Sequence, residues 1–208
     1  MTTSSRHFIF GYGSLINSIS RQVTGETGAA VAVKISGFVR HWSKISSHYG
    51  MSSVVVLADI SGACNGVLVE VQGSELKQFD EREKGYQRVL VDLHSINFYD
   101  SSQILLAGPG SDIKIWLYQA ETIVQPCQKF PVVFSYLDVI LAGCLEYSSE
   151  FCDDFIELTQ GWQHRMLNDR QNPRYPRVQE DLDTALLDPF IERKSRLHKQ
   201  QIMLGYSS

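Results

Sequence analysis

The stretch Phe8-Ile9-Phe10-Gly11-Tyr12-Gly13-Ser14-Leu15 is an apolar run that leads directly into two glycines on either side of a tyrosine. Glycine has no Cβ, so it permits positive φ angles and lets a ligand approach the backbone closely. Consecutive N–H groups in such a turn can point into one concavity and bind an anion or a developing oxyanion. The stretch predicts a strand over residues 7–12 and a ligand-binding loop, although an ordinary strand-to-turn connection has the same pattern.

A second informative segment covers residues 79–88 and reads Phe-Asp-Glu-Arg-Glu-Lys-Gly-Tyr-Gln-Arg. A solvated helix end explains most charge runs of this kind. A carboxylate directed inward at the rim of a sheet would instead be a competent general base. The pattern predicts a helix over residues 74–82 that stops at Gly85 and delivers Glu83 to a loop.

The order of elements along the chain predicts the fold class. Runs of β-branched and aromatic residues broken by Gly and Ser predict further strands near residues 29–36, 53–60, 65–71, 86–96 and 114–120. After Pro126, helical spacing of apolar residues predicts helices over 133–141 and 151–159, and residues 180–198 predict a helical tail. Strands first and helices later favour an α+β fold with a mixed, barrel-like sheet and surrounding helices. We expect one domain of residues 1–208 with a helical C-terminal extension from about residue 144.

Composition limits the class of partner. The chain is 43% hydrophobic and 20% charged, with a net charge of −4, so nothing in its charge favours nucleic acid or an anionic membrane. A small neutral or zwitterionic ligand fits better. The four cysteines contain no C-x-x-C pair, as is typical of reduced thiols, and no secretory h-region or run of about 18 apolar residues is found. We therefore expect a cytoplasmic protein.

The two segments together resemble the γ-glutamyl cyclotransferase-like superfamily. Members carry a Tyr-Gly-Ser-Leu turn after the first strand, here Tyr12 to Leu15, and later an Asp-x-x-Glu segment followed by a Tyr, here Asp80 to Tyr86. Residues 82–86 look most like the ChaC-type, glutathione-specific branch. Gly37 and the helix from Tyr136 to Gly143 also match, so the resemblance covers about residues 8–143. Residues 16–21 lack the proline often seen in glutathione-specific relatives, which leaves the substrate open.

This resemblance implies an enzyme that releases 5-oxoproline from a γ-glutamyl amine or peptide, through attack of the α-amine on its own γ-carbonyl. A free α-amine has a pKa of about 8, so a base must remove its proton near neutral pH. The resemblance gives Glu83 the role of general acid/base. The loop N–H groups would hold either the oxyanion or the substrate α-carboxylate. The implied substrate-binding residues are Gly11, Tyr12, Gly13, Ser14, Leu15 and Tyr136.

Other chemistries find less support in the sequence. The resemblance implies neither metal nor redox cofactor, and the six histidines show no zinc-site spacing. Ser14 lacks the G-x-S-x-G context of a nucleophile, so we keep it as a substrate contact. Cys144 and Cys152 are predicted to be small core residues. Tyr136 fits either a substrate contact or a core tyrosine.

Three alternatives stay open. The same cavity could belong to a protein that binds a γ-glutamyl compound without turnover, or to an enzyme that exchanges or hydrolyses the acyl group. Arginines 165, 170, 174 and 177 fit either a solvated turn or a site for an anionic substrate tail or a neighbouring subunit. The expected partner is a small γ-glutamyl substrate, with no nucleic acid or membrane, and the oligomeric state is left open.

Overall fold

The centre of the fold is a hairpin of two long strands, β2 (Ala30–Ser46) and β3 (Met51–Val71). They belong to a computed structural model that describes residues 5–23, 30–100, 112–177 and 182–194. Both strands are rich in Val, Ile and aromatic residues, which favour the half-buried surface of a sheet. Gly50 in the connecting turn has a φ of 63°, a left-handed conformation that suits glycine.

The hairpin is more continuous than the sequence predicts. β2 extends ten residues beyond its predicted end at Ser36, and the two strands predicted within 53–71 are one. Residue 29, where the first of these predicted strands begins, lies outside the described residues. The register shifts between Ser36 and Phe38, where Gly37 has a φ of 86°. A Cβ on Gly62 would lie 2.7 Å from the Phe38 carbonyl oxygen, so these glycines mark a bulge and a close backbone approach rather than a chain turn.

Four strands extend this hairpin: β1 (Arg6–Gly11), β4 (Gln87–Val91), β5 (Ile96–Phe98) and β6 (Ile113–Gln119). The resulting mixed sheet has the order β4-β6-β1-β3-β2-β5. β1 pairs antiparallel with β3 and parallel with β6. The strand predicted over residues 86–96 is divided into β4 and β5 by a 3-10 turn, Leu93–Ser95. A two-residue strand, β7 (Val132–Val133), pairs parallel with β3.

The sheet curls around an apolar core. At the end of β6, the Ala120 N–H donates to the Val56 carbonyl at 2.9 Å, so this end of β6 reaches the first half of β3, whereas β1 pairs with the second half. The side chains enclosed by this curvature include Phe8, Phe10 and Leu117, which are at most 2% exposed. The curvature agrees with the barrel-like sheet that the sequence predicts.

Helices cover the outer face, which confirms the α+β class. The longer two are α3 (Phe134–Leu145) and α4 (Ser149–Leu158), whose apolar residues pack on Trp42 and neighbouring strand residues. The Ser148 hydroxyl accepts a hydrogen bond from the Phe151 N–H and caps α4. The predicted helix before Gly85 is present as α2 (Leu76–Arg82), after a 3-10 turn over Gly73–Glu75. The short α1 (Ser18–Val23) was not predicted from the sequence.

After α4 the chain returns to the sheet through two short strands that were not predicted. β8 (Thr159–Gln160) pairs parallel with β2, and β9 (Met166–Leu167) pairs parallel with β7. In the predicted tail, Thr184–Leu186 form a 3-10 turn and residues 188–194 are helical, whereas 180–181 and 195–198 lie outside the described residues. No helix in the described ranges is long and apolar enough to cross a membrane.

Candidate active site

The loop after β1 turns sharply, and neither Gly11 nor Gly13 has room for a side chain. A Cβ on Gly11 would lie 2.8 Å from Leu15 Cβ, and one on Gly13 would lie 2.9 Å from the Tyr136 hydroxyl oxygen. Neither glycine has a positive φ, so close packing rather than a left-handed backbone explains them. A 2.9 Å hydrogen bond from the Ile16 N–H to the Gly13 carbonyl closes a 3-10 turn at the end of the loop.

Glu83 reaches this loop because α2 ends beside β1. The helix buries Leu76 and Phe79 in a cluster that includes Ile9 of β1. The Glu83 N–H donates to the Phe79 carbonyl at 2.8 Å, and the Glu83 carbonyl accepts from the Tyr86 N–H at 3.1 Å. This tight turn fixes the backbone at Glu83, whose side chain is half-buried.

The first acid of the Asp-x-x-Glu segment has a different environment. Asp80 accepts a hydrogen bond from the Tyr118 hydroxyl at 2.9 Å and forms a 3.1 Å salt bridge with Arg88. The Arg88 guanidinium also lies over the Trp116 ring, 4.8 Å from its centroid. Asp80 therefore ties α2 to β4 and β6, which supports the position of Glu83.

All of the sequence-predicted site residues line one cavity of about 140 Å³, which we call the inner cavity. Glu83 is the one carboxylate among its described lining residues. Ser53, Phe79, Tyr86 and Tyr118, which were not predicted as site residues, complete much of its wall. The predicted residues in the wall are Gly11, Tyr12, Gly13, Ser14, Leu15, Glu83 and Tyr136.

Tyr12, Tyr86 and Tyr136 are three of the four tyrosines that line the inner cavity. Burial and the nearby Glu83 carboxylate raise the pKa values of Tyr12 and Tyr86. Burial also raises the pKa of Tyr136, with Tyr175 and Tyr86 adding to the effect. All three hydroxyls therefore stay protonated at neutral pH and can act as donors. The Tyr12 hydroxyl donates to the Tyr118 backbone carbonyl at 2.8 Å.

Tyr136 is both a core residue and a cavity residue. It lies in the first turn of α3 and is 5% exposed, with its ring 4.8 Å from that of Tyr175 and 6.0 Å from that of Trp42. The backbone N–H groups of Ser14 and Val54 approach its hydroxyl and partly offset the rise in its pKa. The two alternatives for Tyr136 in the sequence analysis are thus compatible.

A larger space of about 530 Å³, which we call the outer cleft, adjoins the inner cavity and shares part of its wall. Ser14, Glu83 and Tyr136 line both spaces. Lys44 from β2 and Arg177 from the segment after β9 line the outer cleft but not the inner cavity. Lys44 was not predicted as a site residue. Residues 38–46 also contain Arg40 and His41, so charge alone did not distinguish Lys44 as a residue of the cleft.

The four arginines of the predicted turn have different environments. Arg170 forms two 2.8 Å hydrogen bonds to the buried Asp138 and a 2.7 Å salt bridge to Asp188. Arg174 donates to the Gly50 carbonyl, and Arg165 is exposed. Arg177 alone of the four lines the outer cleft. In the described parts of the chain, no group of three or more His, Cys, Asp or Glu is placed to hold a metal ion.

Comparisons with known proteins connect this arrangement to a fold. No family model and no curated protein matches the sequence. A solved γ-glutamyl cyclotransferase superposes with a TM-score of 0.56 at 14% identity, over 81% of this chain and 97% of that chain. An uncharacterized protein from Homo sapiens superposes with a TM-score of 0.54 at 15% identity, over 81% and 98% of the respective chains.

A third solved structure, YkqA from Bacillus subtilis, has a TM-score of 0.50 at 19% identity, over 72% of this chain and 52% of that chain. Identities this low establish the fold rather than an activity. The chain has the fold of the γ-glutamyl cyclotransferase-like proteins.

Proposed function

We propose that the chain is a γ-glutamyl cyclotransferase that releases 5-oxoproline from a γ-glutamyl amine or peptide. The observation that carries this proposal is that Glu83, the loop over residues 11–15 and Tyr136 line one small cavity, in which Glu83 is the one carboxylate among the described lining residues. The fold shared with a solved γ-glutamyl cyclotransferase supports the reaction class. The described cysteines are free thiols, which fits the proposed cytoplasmic location.

In the proposed reaction, Glu83 acts on the substrate α-amine. Its carboxylate first pairs with the α-ammonium, which holds the nucleophile near the γ-carbonyl, and then accepts a proton from it. The neutral amine attacks the γ-carbonyl carbon, and a new carbon–nitrogen bond closes a five-membered ring. Because nucleophile and carbonyl belong to one molecule, much of the entropic cost of bringing them together is already met.

The negative charge that develops on the carbonyl oxygen needs donors. The protonated hydroxyl of Tyr136 and the loop over residues 11–15 line the same cavity, and we assign the donors to this hydroxyl and to N–H groups of the loop. When the intermediate collapses, the bond to the leaving nitrogen breaks, and that nitrogen takes the proton back from Glu83. The ring nitrogen then gives up its second proton, which passes through Glu83 to the freed amine, so the lactam is neutral and the carboxylate is restored. The products are 5-oxoproline and a free amine or peptide, with no water consumed.

The test is a matched pair of substitutions at the end of α2. Glu83→Gln keeps the shape of the side chain but removes the base, so 5-oxoproline formation should fall by about 100- to 10,000-fold. Glu81→Gln is the control, because Glu81 is exposed and does not line either space. Glutathione, γ-glutamyl dipeptides and γ-glutamyl-ε-lysine are the substrates to compare.

A binding protein of the same fold is the rival. Tight binding of these compounds without 5-oxoproline would favour it, and turnover that is unchanged in the Glu83→Gln protein would remove Glu83 from the mechanism. Release of glutamate instead of 5-oxoproline would point to hydrolysis.

A further inference from the structure

The outer cleft is positioned to receive the leaving portion of the substrate, if the proposed function holds. It shares Ser14, Ser53, Glu83 and Tyr136 with the inner cavity. A substrate whose α-amine lies at Glu83 and whose γ-carbonyl lies by the loop therefore extends its leaving group toward the residues that line the outer cleft alone.

Those residues carry positive charge. The described lining of the outer cleft includes Lys44, Lys84 and Arg177, whereas Glu83 is its one carboxylate and lies at the inner end. The chain as a whole has a net charge of −4, so this concentration of cations is local. A cleft of one sign attracts ligands of the opposite charge.

Lys44 is held at the wall of the cleft. Its Nζ lies 3.8 Å from the centroid of the Tyr86 ring, and its side chain is half-buried. Burial lowers the pKa of Lys44, while the nearby Glu83 carboxylate acts in the opposite direction. Within the described residues, neither Lys44 nor Arg177 forms a salt bridge.

Arg177 follows a segment, residues 169–175, that is held to α3 by hydrogen bonds. The buried Asp169 accepts hydrogen bonds from the Ser135 N–H and hydroxyl, at 2.8 and 2.6 Å, and from the Arg174 N–H at 2.9 Å. The Tyr175 N–H donates to the Ser135 hydroxyl oxygen at 3.1 Å. Ser135 precedes Tyr136 on α3, so the segment that carries Arg177 is fixed to the helix that lines the inner cavity.

The Arg177 guanidinium has capacity for a ligand. Its Nη1 donates to the Ser20 hydroxyl at 3.3 Å, and the group lies 6.0 Å from the Tyr175 ring centroid. A guanidinium has five N–H donors in a planar fork that matches a carboxylate. We propose that Arg177, assisted by Lys44, binds a carboxylate on the leaving group, so that the site selects γ-glutamyl amino acids and peptides over uncharged γ-glutamyl amines.

The test compares two substrates that differ only in this charge, γ-glutamyl-glycine and γ-glutamyl-glycinamide. A charge-assisted hydrogen bond predicts a kcat/KM about 10- to 100-fold higher for γ-glutamyl-glycine. Arg177→Gln should remove most of this preference by raising KM for γ-glutamyl-glycine, with little change for the amide. Arg177→Lys should keep part of the preference. Arg165→Gln, an exposed arginine outside both spaces, is the control and should leave the ratio unchanged.

The outcomes separate this inference from the proposed function. Equal kcat/KM for both substrates, or an equal loss on both in the Arg177→Gln protein, would overturn the role of Arg177 while leaving the cyclotransferase intact. If neither substrate yields 5-oxoproline, calorimetric binding replaces turnover. Tighter binding of γ-glutamyl-glycine that Arg177→Gln abolishes would then support carboxylate recognition in a binding protein, and equal affinities would contradict it.

Discussion

The hydroxyl oxygen of Tyr136 occupies the space beside Gly13 so closely that a Cβ on Gly13 would stand 2.9 Å from it. The loop and α3 are therefore fitted to each other at the wall of the inner cavity. Any side chain at position 13 must displace the Tyr136 hydroxyl or the loop, and both carry groups that we assign to the substrate.

This contact predicts energetic coupling between positions 13 and 136. Gly13→Ala overpacks the site and should cost about 1–3 kcal/mol of unfolding free energy. Tyr136→Phe removes the oxygen that the new methyl group meets, although Val54 Cγ2 would still lie 3.1 Å from it. The double substitution should therefore cost less than the sum of the two single costs, by about 0.5–3 kcal/mol. Urea unfolding of the four proteins measures this coupling, and strict additivity would contradict it.

Gly143 presents a second close contact, between α3 and the start of α1. A Cβ on Gly143 would lie 2.4 Å from both the N and the Cα of Asn17, which are backbone atoms that cannot rotate away. We predict that Gly143→Ala destabilises the fold by about 1–3 kcal/mol, although alanine is the better helix former. Ala142→Ser at the neighbouring, half-buried position is the control and should cost less. A neutral Gly143→Ala would show that the two elements separate without penalty.

Local signals in the sequence predicted the elements that carry the inner cavity, but not the roles of their residues. Each of these signals lies within a short stretch of sequence: the loop glycines, the helix that stops at Gly85 and the apolar spacing of α3. The assignment of Glu83 came from a resemblance, however, because its charge run also fits a solvated helix end. Its position beside the loop depends on the packing of α2 against β1, which no local pattern encodes.

The outer half of the site was less accessible to sequence reasoning. Lys44 lies on a part of β2 that was not predicted as strand, and the segment that carries Arg177 is bound to the distant helix α3 through Asp169 and Ser135. The two-residue strands β7, β8 and β9 are too short to show a periodic pattern, and their pairing partners come from elsewhere in the chain. Such tertiary contacts have no signature in a window of neighbouring residues.

The buried Arg40 should contribute more to stability than the surface Arg6, although a count of ion pairs would predict the opposite. Arg40 is 0% exposed and bonds to Asn65 and Thr159 and lies over the Phe155 ring, 4.2 Å from its centroid. Arg40→Met would leave the acceptor oxygens of Asn65 and Thr159 unpaired in the core, at about 1–3 kcal/mol for each. Arg6→Met removes a salt bridge to Glu70 at the surface and should cost at most about 1 kcal/mol. Urea unfolding should therefore show a larger loss of unfolding free energy for Arg40→Met than for Arg6→Met, although only Arg6 forms a described ion pair. The reverse order would refute this prediction.

Asp169 offers the last prediction, which tests whether the segment carrying Arg177 is held in place by its carboxylate. Asp169→Asn retains the shape but replaces one acceptor oxygen by an NH₂ group that faces the donors on Ser135 or Arg174, so stability should fall by about 1–3 kcal/mol. Because Arg177 is then less firmly positioned, the preference for γ-glutamyl-glycine over γ-glutamyl-glycinamide should shrink while turnover of the amide is retained. Asp183→Asn is the matched control, since the carboxylate of the exposed Asp183 accepts only from the Ala185 N–H among the described residues. Lower stability with an undiminished preference would mean that Asp169 supports the fold but does not position Arg177.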